Sequence, residues 1–209
     1  HSHPQSEKAL GSAIDAARQI SKDCDAVIIG DYDNLNTLGV NTIWHYKEHK
    51  YLCAKDIALI IEKHMTGYTH IICNSDTTGK DYLPYFCGRQ DIPMISDVSC
   101  IKSSDTFERA IYAGNAIQTL QSSHDVKVMT IRGIYFNSQH SGNPKIEAET
   151  FNEDSSYPKL TKEPQQDPDM PDLNCADVIV SGGRGFGSKE SFEQLLTLAK
   201  HFNAAVGAS

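Results

Sequence analysis

From Glu7 to Ile20, small and apolar residues recur at Ala9-Leu10, Ala13-Ile14, Ala16-Ala17 and Ile20, a helical rhythm that predicts one buried stripe. Asp25-Ala-Val-Ile-Ile-Gly30 breaks that rhythm. Its apolar residues are contiguous and closed by glycine, as in a strand covered on both faces. Val40 to Tyr46 predicts a second strand. Ala54 to His64 places Ile57, Ile60, Ile61 and His64 on one face of a helix. Tyr68-Thr-His-Ile-Ile-Cys73 predicts another strand, and the polar stretch Asn74 to Gly79 opens a helix from Lys80 to Gln90. Further strands are expected around Met94 to Ile101, Ala110 to Ala113 and Val126 to Arg132. Strands alternating with helices at this spacing predict an α/β fold, Rossmann-like, with a mostly parallel sheet and crossover helices.

Between Asn137 and Asn174 the pattern lapses. Pro144, Pro158, Pro164, Pro168 and Pro171 interrupt it and no periodicity is sustained, which suits an edge excursion or, better, a wrapping linker. The pattern then restarts with a strand at Asp177-Val-Ile-Val-Ser181. A glycine loop, Gly182-Gly-Arg-Gly-Phe-Gly187, follows, and Ser188 is placed to cap a helix with Phe192, Leu195, Leu196 and Ala199 as its apolar stripe. The expected organisation is therefore a first domain over residues 1–137, a linker over 138–175 and the first strand-helix unit of a second α/β domain over 176–209.

Charge sharpens this division. The chain carries a net charge of −8, and between Ser138 and Asp177 nine acids face three lysines. The remainder is nearly neutral and has no basic stripe, so nucleic-acid binding is not expected. The longest apolar run, Ile57 to Ile61, is five residues, far from the roughly 20 that a spanning helix needs. Six cysteines at 24, 53, 73, 87, 100 and 175 show no CxxC spacing, which predicts reduced thiols and an intracellular setting. The sequence starts HSHPQ and stops directly after GAS; both ends read as cut, and a leader peptide could have stood upstream.

Strand, glycine loop and helix together form an anion-binding geometry, because unpaired N–H groups and the positive helix end converge. The loop matches neither the Walker pattern, since Ser188-Lys189 reverses the required order, nor GxGxxG. Arg184 among the glycines suits a phosphate or the carbonyl edge of a flavin; a solvated surface arginine in a tight turn is the plainer alternative. Elsewhere the candidates are weak. His1 and His3 suit a frayed end, and His45 and His49 lack a third ligand. His64 suits a core boundary, Thr77-Thr78-Gly79-Lys80 a helix entry rather than a nucleotide site, and Ser96-Asp97 and Ser104-Asp105 turns and caps. Tyr112-Ala-Gly-Asn-Ala116 suits close backbone packing, as at a subunit boundary.

The segment ADVIVSGGRGFGSKESFEQLLTLAKHFNAAVGAS, Ala176 to Ser209, resembles the start of the FAD-binding domain in alpha subunits of the electron transfer flavoprotein family. Upstream, YTHIICNSDTTGKDYLP, ISDVSCIKSSDTFERAIYAGNAIQTLQS and VKVMTIRG resemble that subunit's first domain in the same order. The resemblance implies that Arg184 and Ser209 contact FAD, that the remaining flavin site lies beyond Ser209, and that the chain is a fragment. It implies an electron carrier rather than a substrate-turning enzyme, paired with a beta subunit that packs on the first domain. Such a carrier serves fatty-acid beta-oxidation, taking electrons from acyl-CoA dehydrogenases and passing them to a quinone oxidoreductase (electron transfer flavoprotein-ubiquinone oxidoreductase). The setting would be the mitochondrial matrix, or a bacterial cytoplasm. From the residues alone, a nucleotide-binding α/β enzyme and a pure dimerisation module remain alternatives.

Overall fold

The computed structural model describes residues 4–48, 52–137, 139–152, 171, 173 and 176–208. They divide into two compact units, the first over the described residues from Ser6 to 152 and the second over those from 171 to 208.

The first unit opens with α1, Pro4–Ile20, followed by β1, Ala26–Ile29, and β2, Thr42–Tyr46. Then come α2, Ala54–His64, β3, His70–Asn74, α3, Thr77–Gln90, and β4, Met94–Ile101. Strands β5, Thr106–Ile111, β6, Ala116–Gln121, β7, Lys127–Ile131, and β8, Lys145–Ala148, complete it. A three-stranded sheet runs β1-β2-β8, all parallel. A five-stranded sheet runs β3-β7-β4-β5-β6, parallel among its first three strands and antiparallel through the last two.

Side-chain alternation along the strands builds two layers of core. On one face, Met129 and Ile131 of β7 join Ile95, Val98 and Phe107 beneath Ala16 of α1. The same helix covers Ile28 and Ile43 of the smaller sheet through Ile14, with Leu10 and Ala17 beside it. On the other face, Val128 of β7 and Ile71 of β3 pack against α2 and α3 through Ala58, Leu83 and Phe86. Neighbouring Val128 and Met129 of β7 thus pack into opposite layers, as helix-flanked parallel strands require.

Three expectations change. The strand placed at Ala110–Ala113 is the end of a hairpin: β5 stops at Ile111, and Tyr112 (φ 51°), Ala113 (φ 53°) and Gly114 (φ 89°) form the turn into β6. The expected strand took in the turn and missed β6, because the apolar residues at the turn outweighed the Gly-Asn signal. Helix α3 starts at Thr77 rather than Lys80, with the Asp76 carboxylate accepting from the Gly79 N–H at 2.7 Å. Lys145–Ala148, in the stretch that shows no periodicity, pairs with β2; a strand of four residues is too short to display one.

The second unit contains β9, Ile179–Gly182, α4, Lys189–His201, and β10, Ala205–Ala208. Its two strands are parallel, Ile179 opposite Ala205 and Gly182 opposite Ala208, so α4 is a crossover helix. Leu195 and Ala199 of α4 are buried, with Phe192 and Leu196 beside them half-buried, which is the stripe expected from the spacing.

Candidate functional site

The glycine loop sits where β9 ends and α4 begins. Gly183 is still extended, Arg184–Phe186 make a short 3-10 turn, and Gly187 adopts φ 73°, a value that favours glycine. The N–H groups of Phe186 and Gly187 donate to the carbonyls of Gly183 and Arg184, both at 3.1 Å. That turn folds Phe186 back against the strand end. A Cβ on Gly182 would come within 2.6 Å of the Phe186 ring, so only glycine lets the ring lie there. The ring then meets Phe192 edge-on, with centroids 5.7 Å apart, which ties the loop to α4.

The far side of the loop is open. A Cβ added at Gly185 or Gly187 would meet nothing within 4 Å. The Arg184 side chain is exposed and engages in no hydrogen bond or ion pair among the described residues. A bare backbone beside a free guanidinium fits a large anionic or carbonyl-bearing group, so FAD suits these residues.

The start of α4 differs from a simple anion-binding helix end. Ser188 caps it as predicted, its Oγ accepting from the Ser191 N–H at 3.1 Å. Glu190 stands in the first turn, and its own backbone N–H and the Ser188 hydroxyl hold its carboxyl below the usual range. A resident carboxylate already uses the positive helix end, so an incoming anion depends more on Arg184 than on the dipole. Ser209, the other expected contact, lies outside the described residues.

The first unit gathers several groups that sequence spacing does not reveal. His64 stacks on Trp44 with ring centroids 4.2 Å apart, and its Nε2 lies 2.8 Å from the Tyr46 hydroxyl. Burial pushes the His64 imidazole pKa down, with Lys63 adding to the effect. Lys63 itself pairs with Glu149 at 2.6 Å, a contact between residues 86 apart that no local signal announces. Midway along β4, beside the carboxyl end of β7, Asp97 sits 3.3 Å from Lys80 and 3.9 Å from Arg132.

The weaker candidates resolve into structure. His45 lies on β2 with Nε2 2.9 Å from the Gly30 carbonyl, and His49, like His1 and His3, is outside the described residues. Arg109 donates to the Ser96 hydroxyl at 2.8 Å. Ser103, Thr106 and Gln121 draw the Asp105 carboxyl down to about 2, the electrostatics of a hairpin turn. Cys24, Cys53, Cys73, Cys87 and Cys100 are free thiols. Among the described residues no three His, Cys, Asp or Glu side chains are arranged to hold a metal ion. No helix of the described residues is long and apolar enough to cross a membrane.

Comparison with known proteins bears on both units. Residues 3–155 match the electron transfer flavoprotein domain, and residues 172–209 match the electron transfer flavoprotein FAD-binding domain. The electron transfer flavoprotein subunit alpha of Pseudomonas aeruginosa is 37% identical over 157 residues, covering 74% of this chain and 51% of that protein. The subunit alpha of Paracoccus denitrificans is 40% identical, covering 75% of this chain and 51% of its own length. In Caenorhabditis elegans, a probable electron transfer flavoprotein subunit alpha, mitochondrial, is 33% identical over 68% of this chain. The chain spans about half the length of the curated relatives it matches. With a family domain matched across most of its length, the chain belongs to the electron transfer flavoprotein family, and its relatives are alpha subunits.

Proposed function

We propose that this chain is part of an electron-carrying alpha subunit that holds FAD at the β9–α4 loop. The observation that carries the reading is the exposed, unpaired Arg184 on an open glycine turn at the carboxyl end of a parallel strand. Bound there, FAD supplies the redox chemistry. The guanidinium of Arg184 donates to a phosphate oxygen or a flavin carbonyl and favours negative charge at that atom. Gly185 and Gly187 let the group approach the backbone, and Ser209 contributes one hydrogen bond. Phe186, wedged between Gly182 and Phe192, keeps the turn from collapsing over that approach.

In the whole protein, this subunit pairs with a beta subunit through the first unit, where Tyr112 is 80% exposed and Ile117 62% exposed on the β5–β6 hairpin. It receives electrons from acyl-CoA dehydrogenases and delivers them to a quinone oxidoreductase, carrying electrons rather than turning over a substrate. Relatives named mitochondrial and relatives from bacteria support a setting in the mitochondrial matrix or a bacterial cytoplasm.

The test is Arg184→Ala in the complete subunit with its beta partner. Weaker flavin retention or a lower flavin potential is the expected result. Unchanged affinity together with an unchanged potential would show Arg184 to be a turn residue only.

A further inference from the structure

The first turn of α2 pairs a half-buried thiol with a buried carboxyl. Cys53 holds the capping position with extended backbone, and Asp56 is the third residue of the helix. The helical ladder starts with the Ile57 N–H donating to the Cys53 carbonyl at 3.1 Å. A capping side chain accepts from the N–H groups ahead of that bond, but the Cys53 side chain accepts from none of them. Its thiol instead donates to Oδ2 of Asp56 at 3.1 Å. Asp56 is 5% exposed, and among the described residues its other oxygen, Oδ1, is buried with no hydrogen-bond partner. A buried carboxyl oxygen without a donor is a standing cost, relieved by any group that brings an O–H or N–H to it. Both oxygens sit on one carboxyl, so a hydroxyl carried on the Cys53 sulfur would stand beside the atom that lacks a donor.

The other described cysteines lack this setting. Cys24 and Cys73 donate to the backbone carbonyls of Asp25 and Asn74. Burial pushes their thiols up to about 11 and about 12, and that of Cys87 up to about 11, which keeps all three protonated and poorly reactive. Cys100 is half-buried like Cys53, and so serves as a control matched in exposure. Among the described residues, Cys53 is the cysteine whose thiol donates to a carboxylate.

We propose that Cys53 is a peroxide-reactive thiol, that Asp56 carries its proton, and that the oxidised side chain caps α2. The thiol proton passes to the Asp56 carboxylate. The thiolate sulfur attacks one oxygen of hydrogen peroxide, and an S–O bond forms as the O–O bond breaks. Sulfur supplies two electrons; the departing oxygen takes the proton from Asp56 and leaves as water, so the products are a sulfenic acid and water. The sulfenic oxygen accepts from the Asp56 N–H at the positive end of the helix, as a serine cap does. Its hydroxyl donates to the Asp56 carboxylate, whose Oδ1 gains the donor it lacks.

The test treats the 209-residue chain with hydrogen peroxide in the presence of dimedone, which traps sulfenic acids, and maps the adducts by peptide mass spectrometry. The Cys53 adduct should form about tenfold faster than the Cys100 adduct, and Cys24, Cys73 and Cys87 should stay unlabelled. Asp56→Asn keeps the shape and removes the proton acceptor, so it should slow Cys53 about tenfold while the Cys100 rate, which reports that the fold is kept, stays the same. Without dimedone, amide exchange at Asp56 should slow on oxidation and recover when dithiothreitol restores the thiol. A Cys53 rate no faster than that of Cys100 in the unaltered chain overturns the proposal, and this comparison stands whether or not the variant folds. A Cys53 rate that Asp56→Asn leaves unchanged or raises overturns the role of Asp56. Exchange at Asp56 that quickens on oxidation overturns the cap.

Discussion

The two units solve the same local problem with unequal resources. Each has parallel strands joined through a crossover helix, yet the first buries Phe107, Val98, Met129 and Ile131 completely between helix layers. In the second, Ile179 of β9 is 52% exposed and Phe202, just after α4, 61% exposed. Among the described residues the second unit has two strands and one helix, too few to enclose a core, and the buried apolar residues there are Leu195, Ala199, Ala204 and Ala205. The loop that carries Arg184 is held by local devices instead: a glycine that admits Phe186, an aromatic pair and a serine cap. A glycine loop can thus keep its shape where global packing is thin.

The strongest way to break this comparison is to remove core from both sides. Phe107→Ala should cost about 3–5 kcal/mol in the first unit, while Leu195→Ala should cost about 2 kcal/mol in the second, the low end of the range. Denaturant unfolding followed separately by signals from each unit measures both, and equal losses would mean that the second unit is as well packed as the first. Next in size is Tyr68→Phe. The Tyr68 hydroxyl donates to the Asp25 carboxylate, which also accepts from the Thr42 N–H at 2.6 Å, so its loss should cost about 2 kcal/mol in the first unit.

Capping provides a matched pair. Asp76→Ala at α3 and Ser188→Ala at α4 each remove one side-chain acceptor and should each cost about 1 kcal/mol, readable as a shift in denaturation midpoint. Because a cap acts locally, its cost should not depend on the core around it; a far larger loss at Ser188 would show that the cap anchors the whole loop. The smallest effect is a pH slope in the first unit. Burial lowers the pKa of both His64 and His70, so each is harder to protonate when folded than when unfolded. Below about pH 6.5 the unfolded chain takes up more protons, so stability is full above that pH and declines as pH falls through it. Melting temperatures of wild type and His64→Gln between pH 7.5 and 5 test this; the variant should show a shallower slope.

Much of the fold was legible because helix and buried strand leave different marks. Ala13, Ile14 and Ala17 announce α1, Ala26–Ile29 announce β1, and Gly182–Gly187 with Ser188 announce the strand-loop-helix turn down to its cap. Signals failed where they were short or mixed. β6 alternates half-buried and exposed residues, beginning directly after a turn, and β8 is four residues in an acidic stretch. The glycine loop bearing Arg184 was legible in the sequence, but that the Glu190 carboxylate is held by its own backbone N–H and the Ser188 hydroxyl at the start of α4 is a contact that only the folded helix end shows.

Local sequence determined which segments are helices and strands, where glycine permits the backbone to turn, and that a guanidinium stands on the loop, since each depends on residues within a turn or two of one another. Tertiary structure alone decided that Lys63 meets Glu149, that His64 stacks on Trp44, and that α1 covers both sheets while β1 and β3 face each other across an open slot. Those outcomes depend on how strands far apart in sequence are ordered, a choice set by crossover handedness and by the burial of two faces at once, which no short window of residues contains.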